Sequence, residues 1–270
     1  MKFTILGSTG FIGSALISYL KSQHIECVTL DLRTEEISDK SLGHVIYAIG
    51  EPNFKEKPIE SIDAHVLKLE KFLKKANFES FLYLSSTKIY YGSTFTDEDS
   101  SLVVNPLKFY SLYNISKIMG EAICNLSQKQ NVRIVRLSTV TGKNFKTSNF
   151  ISSIIFDAIR NKEIILKTKL DSKRDYILLE DVVQILPKIS ISGKNKIYNV
   201  AYGQNLKTRE IVEKIKEITG CTYKVERDAK EYSYPPISIQ KIKNEFNFNP
   251  TSSILTKLNE IIMAFQKNKV

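Results

Sequence analysis

No stretch of this 270-residue chain approaches the roughly 20 consecutive apolar residues that a helix needs to cross a bilayer. A helical membrane protein is therefore excluded. The chain begins Met1-Lys2-Phe3-Thr4 and runs straight into a β-branched apolar segment, leaving no room for a signal peptide, so the expected location is cytoplasmic. Cysteine and histidine are scarce: Cys27, Cys124 and Cys221, and His24, His44 and His65, are scattered without ligand spacing. That excludes a disulfide framework and leaves no metal site to assign, and reduced thiols suit a reducing compartment. Blocks of like charge are also missing. Although 39 Lys and Arg face 29 Asp and Glu, the lysines are interleaved with acids, as in Glu213-Lys214-Ile215-Lys216-Glu217. The pattern describes solvated helix faces with some attraction for phosphate-bearing ligands, and no nucleic-acid partner is expected. The length allows one large domain, or one domain with a small companion.

What is present begins with Lys2-Phe3-Thr4-Ile5-Leu6, followed by Gly7-Ser8-Thr9-Gly10-Phe11-Ile12-Gly13 and a helical pattern through Leu16, Ile17 and Leu20. Strand, glycine turn and helix form a phosphate-binding unit, in which glycines let the backbone approach a pyrophosphate and the free N–H groups of the helix start face it. The spacing is G-x-x-G-x-x-G. A second strand, Glu26–Leu30, ends at Asp31, placed to accept hydrogen bonds from the adenosine ribose, which favours NAD. Arg33 keeps NADP open, because a guanidinium there can bind a 2′-phosphate. Ten residues separate Arg33 from the next strand at His44–Ile49, too few for a full crossover helix, so this layer shrinks to a loop or a single turn. A loop over 50–58 follows. Ile62, Val66, Leu69, Leu73 and Ala76 then recur at spacings of four and three, an amphipathic helix whose stripe faces the sheet or packs against a second copy.

The strand Phe81–Leu84 runs into Ser85-Ser86-Thr87, hydroxyls at the carboxyl end where open α/β sheets bind ligands. In Tyr113-Asn114-Ile115-Ser116-Lys117 a tyrosine and a lysine lie one turn apart on one helical face. An ammonium near a phenol lowers the phenol's pKa and makes it a proton-transfer group. With thirteen tyrosines in a lysine-rich chain, that spacing alone also describes a surface lysine near a half-buried tyrosine. After this helix comes the strand Val132–Leu137. Strands and helices alternate strictly to this point, which predicts an α/β architecture, a doubly wound parallel (Rossmann) sheet.

Together these stretches resemble the extended short-chain dehydrogenase/reductases, the NAD-dependent epimerase/dehydratase family whose typical members modify nucleotide sugars. Gly7, Gly10 and Gly13 are similar to the family's cofactor turn, Asp31 to its ribose-binding acid, and Ser85-Ser86-Thr87 through Tyr91-Gly92 to its catalytic strand end. Tyr113 and Lys117 match its Tyr-x-x-x-Lys, with Glu121 following. Arg136 through Gly142 resembles Arg-x-x-Asn-Val-Tyr-Gly with Thr139 for the asparagine. Arg174–Val182, Tyr198–Ala201 and Phe246–Pro250 are similar to later family stretches. His65 stands where relatives usually have asparagine.

The resemblance implies catalysis by Thr87, Tyr113 and Lys117. It implies a cofactor held by Gly7, Thr9, Gly10, Phe11, Ile12, Gly13, Asp31, Leu32, Arg33, Ala48, Ile49, Gly50, Leu137 and Thr139 with the Tyr113–Lys117 pair, and a nucleotide-sugar substrate met by Thr87, Lys88, Arg174 and Arg227. It divides the chain into a cofactor domain, 1–143 with 174–203, and a small substrate-binding lobe, 144–173 with 204–270. Within the lobe the residues themselves predict an amphipathic helix over Thr208–Thr219. A homodimer is the expected assembly. Dehydratases carry Asp-Glu after the catalytic threonine, where Lys88-Ile89 stands here, which leaves epimerisation or keto-sugar reduction in polysaccharide or other sugar biosynthesis. A reductase of a non-nucleotide carbonyl and a non-catalytic NAD(P)-binding relative are the alternatives.

Overall fold

The computed structural model of the protein describes residues 1–37, 41–51, 56–108, 111–143 and 149–267. Residues 52–55 of the loop expected at 50–58, and 144–148 and 268–270 of the expected lobe, lie outside them. The elements run β1 (Lys2–Leu6), α1 (Phe11–Ser22), β2 (Glu26–Leu30), β3 (His44–Tyr47), α2 (Pro58–Ile62), a π-type turn (Asp63–Leu67), α3 (Lys68–Lys75), β4 (Ser80–Ser86), a 3-10 turn (Thr87–Tyr90), α4 (Ser111–Leu126) and β5 (Val132–Leu137). They continue with β6 (Thr139–Thr141), α5 (Phe150–Arg160), β7 (Glu163–Thr168), β8 (Lys173–Leu178), α6 (Leu179–Ser192), β9 (Ile197–Val200), β10 (Asn205–Lys207), α7 (Thr208–Thr219), β11 (Thr222–Lys230), α8 (Gln240–Phe246) and α9 (Ile254–Lys267). Two compact units result: Met1–Ile89, Glu98–Leu137 and Val183–Asn199 form one, and Tyr90–Asp97, Ser138–Val182 and Val200–Val270 the other.

The first unit is built on a six-stranded sheet in the order β2-β1-β3-β4-β5-β9. β1 pairs in parallel with both β2 and β3, β3 with β4, and β4 with β5, giving the doubly wound sheet that the strand–helix alternation predicts. Strand order reverses at β1, and in such sheets the crevice at the carboxyl ends beside that reversal is where ligands bind. β4 is buried along its whole length, as a central parallel strand covered on both faces must be. On α3, Leu69, Phe72 and Leu73 pack against Tyr47 of β3 and Phe81 and Tyr83 of β4. The apolar stripe therefore faces the sheet. Between β2 and β3 the described residues hold no helix: Thr34 and Glu35 donate back to Asp31 O at 3.1 and 2.9 Å, a single turn as the short spacing predicts.

The second unit carries two small sheets, β10-β8-β6 and β11-β7. Ile151 and Ile155 of α5, Ile211 and Ile215 of α7, and Leu258 and Ile262 of α9 close over β7 and β8 to make its core. α7 spans the residues its periodicity predicts. It starts where the Glu210 carboxylate accepts the Lys207 N–H at 2.7 Å and stops at Gly220, whose φ of 70° only glycine adopts without strain. Because β8 pairs with β6 and β10, its residues fall in this unit, and the chain rejoins the first unit at Val183 where the sequence reading has Arg174. Among the described residues no helix is long and apolar enough to cross a membrane, and no group of three His, Cys, Asp or Glu is placed to hold a metal.

Candidate active site

At the carboxyl end of β1 the backbone turns at Gly7, with φ 82°, and Gly10 N donates to Gly7 O at 3.1 Å. A Cβ on Gly7 would lie 2.7 Å from the Ala48 carbonyl carbon and 2.9 Å from Ile49 N, and one on Gly13 would collide with Gly7 O. Both glycines are thus required by contact between backbones. They draw β3's continuation, Ala48-Ile49-Gly50, against the turn, and Ala48 N donates to Leu6 O at 2.9 Å. Helix α1 starts at Phe11 with Gly10 as its N-cap and no side-chain cap, so its first N–H groups are left for an outside acceptor. Thr9 is exposed, and Phe11 and Ile12 are half-buried at that rim. A cradle with no room for Cβ atoms at an uncapped helix start fits a dinucleotide pyrophosphate.

Asp31 and Arg33 lie at the end of β2, flanking half-buried Leu32, and they are already engaged with each other. The Arg33 guanidinium donates to Asp31 Oδ2 at 2.6 Å and Oδ1 at 2.9 Å, which holds the carboxyl down at about 2. Both side chains are exposed, so the pair contributes little to stability and is readily exchanged for a ligand.

Tyr113 and Lys117, on α4, face the ends of β4 and β5. Ser86, the last residue of β4, hydrogen-bonds the Tyr113 phenol, while Thr87 opens the following 3-10 turn. The register sets Leu137 directly beside Ser86. Burial pushes the phenol up, and the Ser86 hydrogen bond offsets part of this. Lys117 Nζ donates to Leu84 O at 2.9 Å and lies over the Tyr83 ring. Burial brings the Lys117 amine down to about 7, with Glu121 supporting and Lys88 opposing its charge. The expected lowering of the phenol by Lys117 is therefore replaced by a raising, because desolvation dominates. The cation against Tyr113 is instead Lys88, 4.9 Å from the ring centroid.

Two neighbours of this pair carry no assigned role in the sequence reading, where Ser86 is one of the strand-end hydroxyls and His65 a departure from the family: Ser86 is the bonded hydroxyl, and the His65 ring stands edge-on to Tyr113 with centroids 5.4 Å apart. A signal for His65 existed: it lies three residues after Ile62 and four before Leu69, on the buried face of their stripe.

Of the other residues singled out, Thr139, Arg174 and Arg227 belong to the second unit. Thr139 is in β6, opposite Tyr176 of β8. The half-buried Arg174 guanidinium lies 5.1 Å from the Tyr232 ring and 5.8 Å from that of Tyr234, and Arg227 is exposed on β11.

Fold and glycine turn define an α/β protein of the dinucleotide-binding class. The model of the NAD dependent epimerase/dehydratase family matches residues 3–64 and 50–201, and the chain belongs to that family. It is 25% identical over 255 residues to GDP-6-deoxy-D-mannose reductase of Pseudomonas aeruginosa, covering 84% of this chain and 83% of that protein. It is 23% identical over 257 residues to dTDP-4-dehydro-6-deoxyglucose reductase of Escherichia coli, covering 78% and 79%. The solved structure of MoeE5 in complex with UDP-glucose and NAD superposes with a TM-score of 0.82 at 20% identity, over the full length of both chains.

Proposed function

We propose that this chain is an NAD(P)-dependent enzyme of nucleotide-activated sugars, and that it reduces a keto sugar. The observation that carries the choice of reduction is the state of Tyr113. A phenol raised by burial stays protonated at neutral pH, which suits a donor to a carbonyl oxygen, whereas an epimerase must begin by taking a proton from a hydroxyl. Lys88-Ile89 after Thr87 leaves out the acid pair of the dehydratases. Both curated relatives, covered over about four-fifths of their length, are reductases of deoxysugar nucleotides by name.

In this reading the Gly7–Gly13 turn, Asp31, Arg33 and Ala48–Gly50 hold the dinucleotide, which supplies a hydride to the carbonyl carbon. Tyr113 Oη gives its proton to the carbonyl oxygen, completing the alcohol. The Ser86 hydroxyl, bonded to the phenol, and the Lys117 and Lys88 cations stabilise the phenolate left behind. Thr87, at the start of the turn, orients the sugar. Arg174 and Arg227 pair with the substrate's diphosphate.

The test is to release and identify any dinucleotide carried by the purified protein, then to follow oxidation of NADH and NADPH with a 4-keto-6-deoxy nucleotide sugar. Net oxidation matched by the deoxysugar product supports reduction. Retained NAD with interconversion of sugar epimers and no net oxidation overturns it in favour of epimerisation.

Cofactor choice follows from the Asp31–Arg33 pair. Arg33→Ala removes the guanidinium that can take a 2′-phosphate and frees the Asp31 carboxylate to repel one. The ratio of NADP(H) to NAD(H) affinity is expected to fall about 10- to 100-fold, as loss of a charge-assisted contact implies. Titrating both dinucleotides into wild type and variant measures the ratio, and an unchanged ratio removes Arg33 from cofactor selection.

A further inference from the structure

The π-type turn between α2 and α3 inserts a residue into the helical ladder and carries His65, whose side chain is completely buried. His65 Nδ1 lies 2.9 Å from Ser116 Oγ. The Ser116 hydroxyl is also 2.9 Å from the carbonyl oxygen of Tyr113, an atom that only accepts. Its single proton is therefore committed to Tyr113, and Ser116 Oγ must accept from His65. The imidazole is then the Nδ1–H tautomer, and Nε2 carries a bare lone pair. That nitrogen is buried and has no hydrogen-bond partner, an arrangement that ordinarily costs stability unless a donor arrives.

The neighbouring donor is Lys117. A methyl group built on Gly50 would sit 3.5 Å from His65 Nε2 and 3.9 Å from Lys117 Nζ, so the two atoms border the same small space. The Lys117 ammonium has three N–H groups, and its hydrogen bond to Leu84 O uses one. We propose that His65 is a positioning residue for Lys117: its unprotonated Nε2, which no donor occupies here, is the acceptor that the lysine ammonium turns to across that space, and it favours the charged form of the amine in this site. The proposal rests on the reading of Tyr113 and Lys117 as the proton-transfer pair and adds the group that tunes it.

Several titratable groups face the amine. Glu121, from α4, favours its charge, and Lys88, from the turn after β4, opposes it. The Tyr83 ring of β4 lies beneath it, and Cys124 is one turn further along α4 than Glu121. Burial drives the amine down to about 7, and an acceptor for the ammonium form acts the other way. His65 keeps this role across the neutral range because burial and the Lys117 charge hold its own pKa down to about 2, so it stays a neutral acceptor.

The experiment reads the protein without substrate. Nitrogen-15 shifts of the three imidazoles report the His65 tautomer, and the Cε and Nζ shifts of protein carrying carbon-13, nitrogen-15 lysine report the Lys117 midpoint against pH. A neutral Nδ1–H tautomer is expected for His65. The Lys117 midpoint is expected to fall by about one pH unit in His65→Phe, roughly a tenfold loss of charged amine above neutrality, and to stay within a few tenths of wild type in His65→Asn, whose amide oxygen can accept. An Nε2–H tautomer, or an unmoved midpoint in a folded His65→Phe protein, overturns the proposal. Should that variant not fold, His65→Leu carries the same expectation and the same refutation. The outcomes separate this proposal from the functional reading: the shift without sugar reduction refutes the latter alone, and sugar reduction without the shift refutes the former alone.

Discussion

In Tyr113→Phe, turnover is expected to fall at least ~100-fold while dinucleotide affinity stays at the wild-type level. Burial raises the phenol and keeps it protonated near neutrality, and removing its oxygen removes that donor without removing the ring. Phenylalanine keeps the edge-on contact with His65 and the seat under the Lys88 amine. Ser86 Oγ, which loses its phenol partner, still accepts the Lys88 backbone N–H at 3.2 Å, so no hydroxyl is stranded and the fold is expected to hold. A variant that melts as wild type and binds dinucleotide as wild type, yet turns over within a few-fold of it, would remove Tyr113 from the chemistry. The pH profile of the wild type gives a second reading. With Lys117 at about 7 and required in its charged form, activity is present below that pH and declines as pH rises through it.

The parts of this architecture that could be read in advance are those where local pattern and tertiary demand coincide. Gly7, Gly10 and Gly13 are spaced by the turn itself, β2 ends at Leu30, just before Asp31, where its apolar run stops, and α7 occupies the residues of its apolar period. The arrangement around Tyr113 was legible only to the level of which residues share a helix face. Spacing shows that Tyr113 and Lys117 lie one turn apart, but a lysine has four rotatable bonds, and here the amine satisfies itself on Leu84 O. The same freedom puts Lys88 over the phenol. Thr87 and Ser86 differ by one position, and whether the strand ends at one or the other decides which hydroxyl meets the phenol. The π-type turn is invisible because Ile62, Val66 and Leu69 keep helical spacing across it. In the second unit, Glu163–Thr168 alternates in burial, but Ile164-Ile165-Leu166 is apolar at all three positions, with Ile165 exposed, so the alternation is absent from the sequence.

Glu121→Ala is expected to destabilise the protein by about 3–5 kcal/mol, lowering the melting temperature by roughly 10 °C. Glu121 on α4 and Arg136 on β5 form an ion pair at 2.7 Å, with side chains only 5% and 4% exposed. The pairing is bidentate, since Arg136 Nε also donates to both carboxylate oxygens at 3.1 and 3.2 Å. Ser85 of β4 donates to the same carboxylate at 2.6 Å, and Arg136 Nη1 reaches Glu98 O at 3.1 Å. One carboxylate thus ties α4 to two central strands. Deleting it leaves a guanidinium in the interior without its carboxylate partner, and the desolvation of that charge is then uncompensated. For the same reason the double variant Glu121→Leu with Arg136→Met is expected to recover most of the loss, because burying neither charge avoids the penalty altogether. A double-mutant cycle measured by denaturant unfolding decides the matter, and equal losses in the single and double variants would show that the network acts through packing alone. The cycle also bears on chemistry. Glu121 supports the charge on Lys117 one turn away, so both Glu121 variants are expected to move the Lys117 midpoint below about 7, and restored stability in the double variant would leave that shift in place.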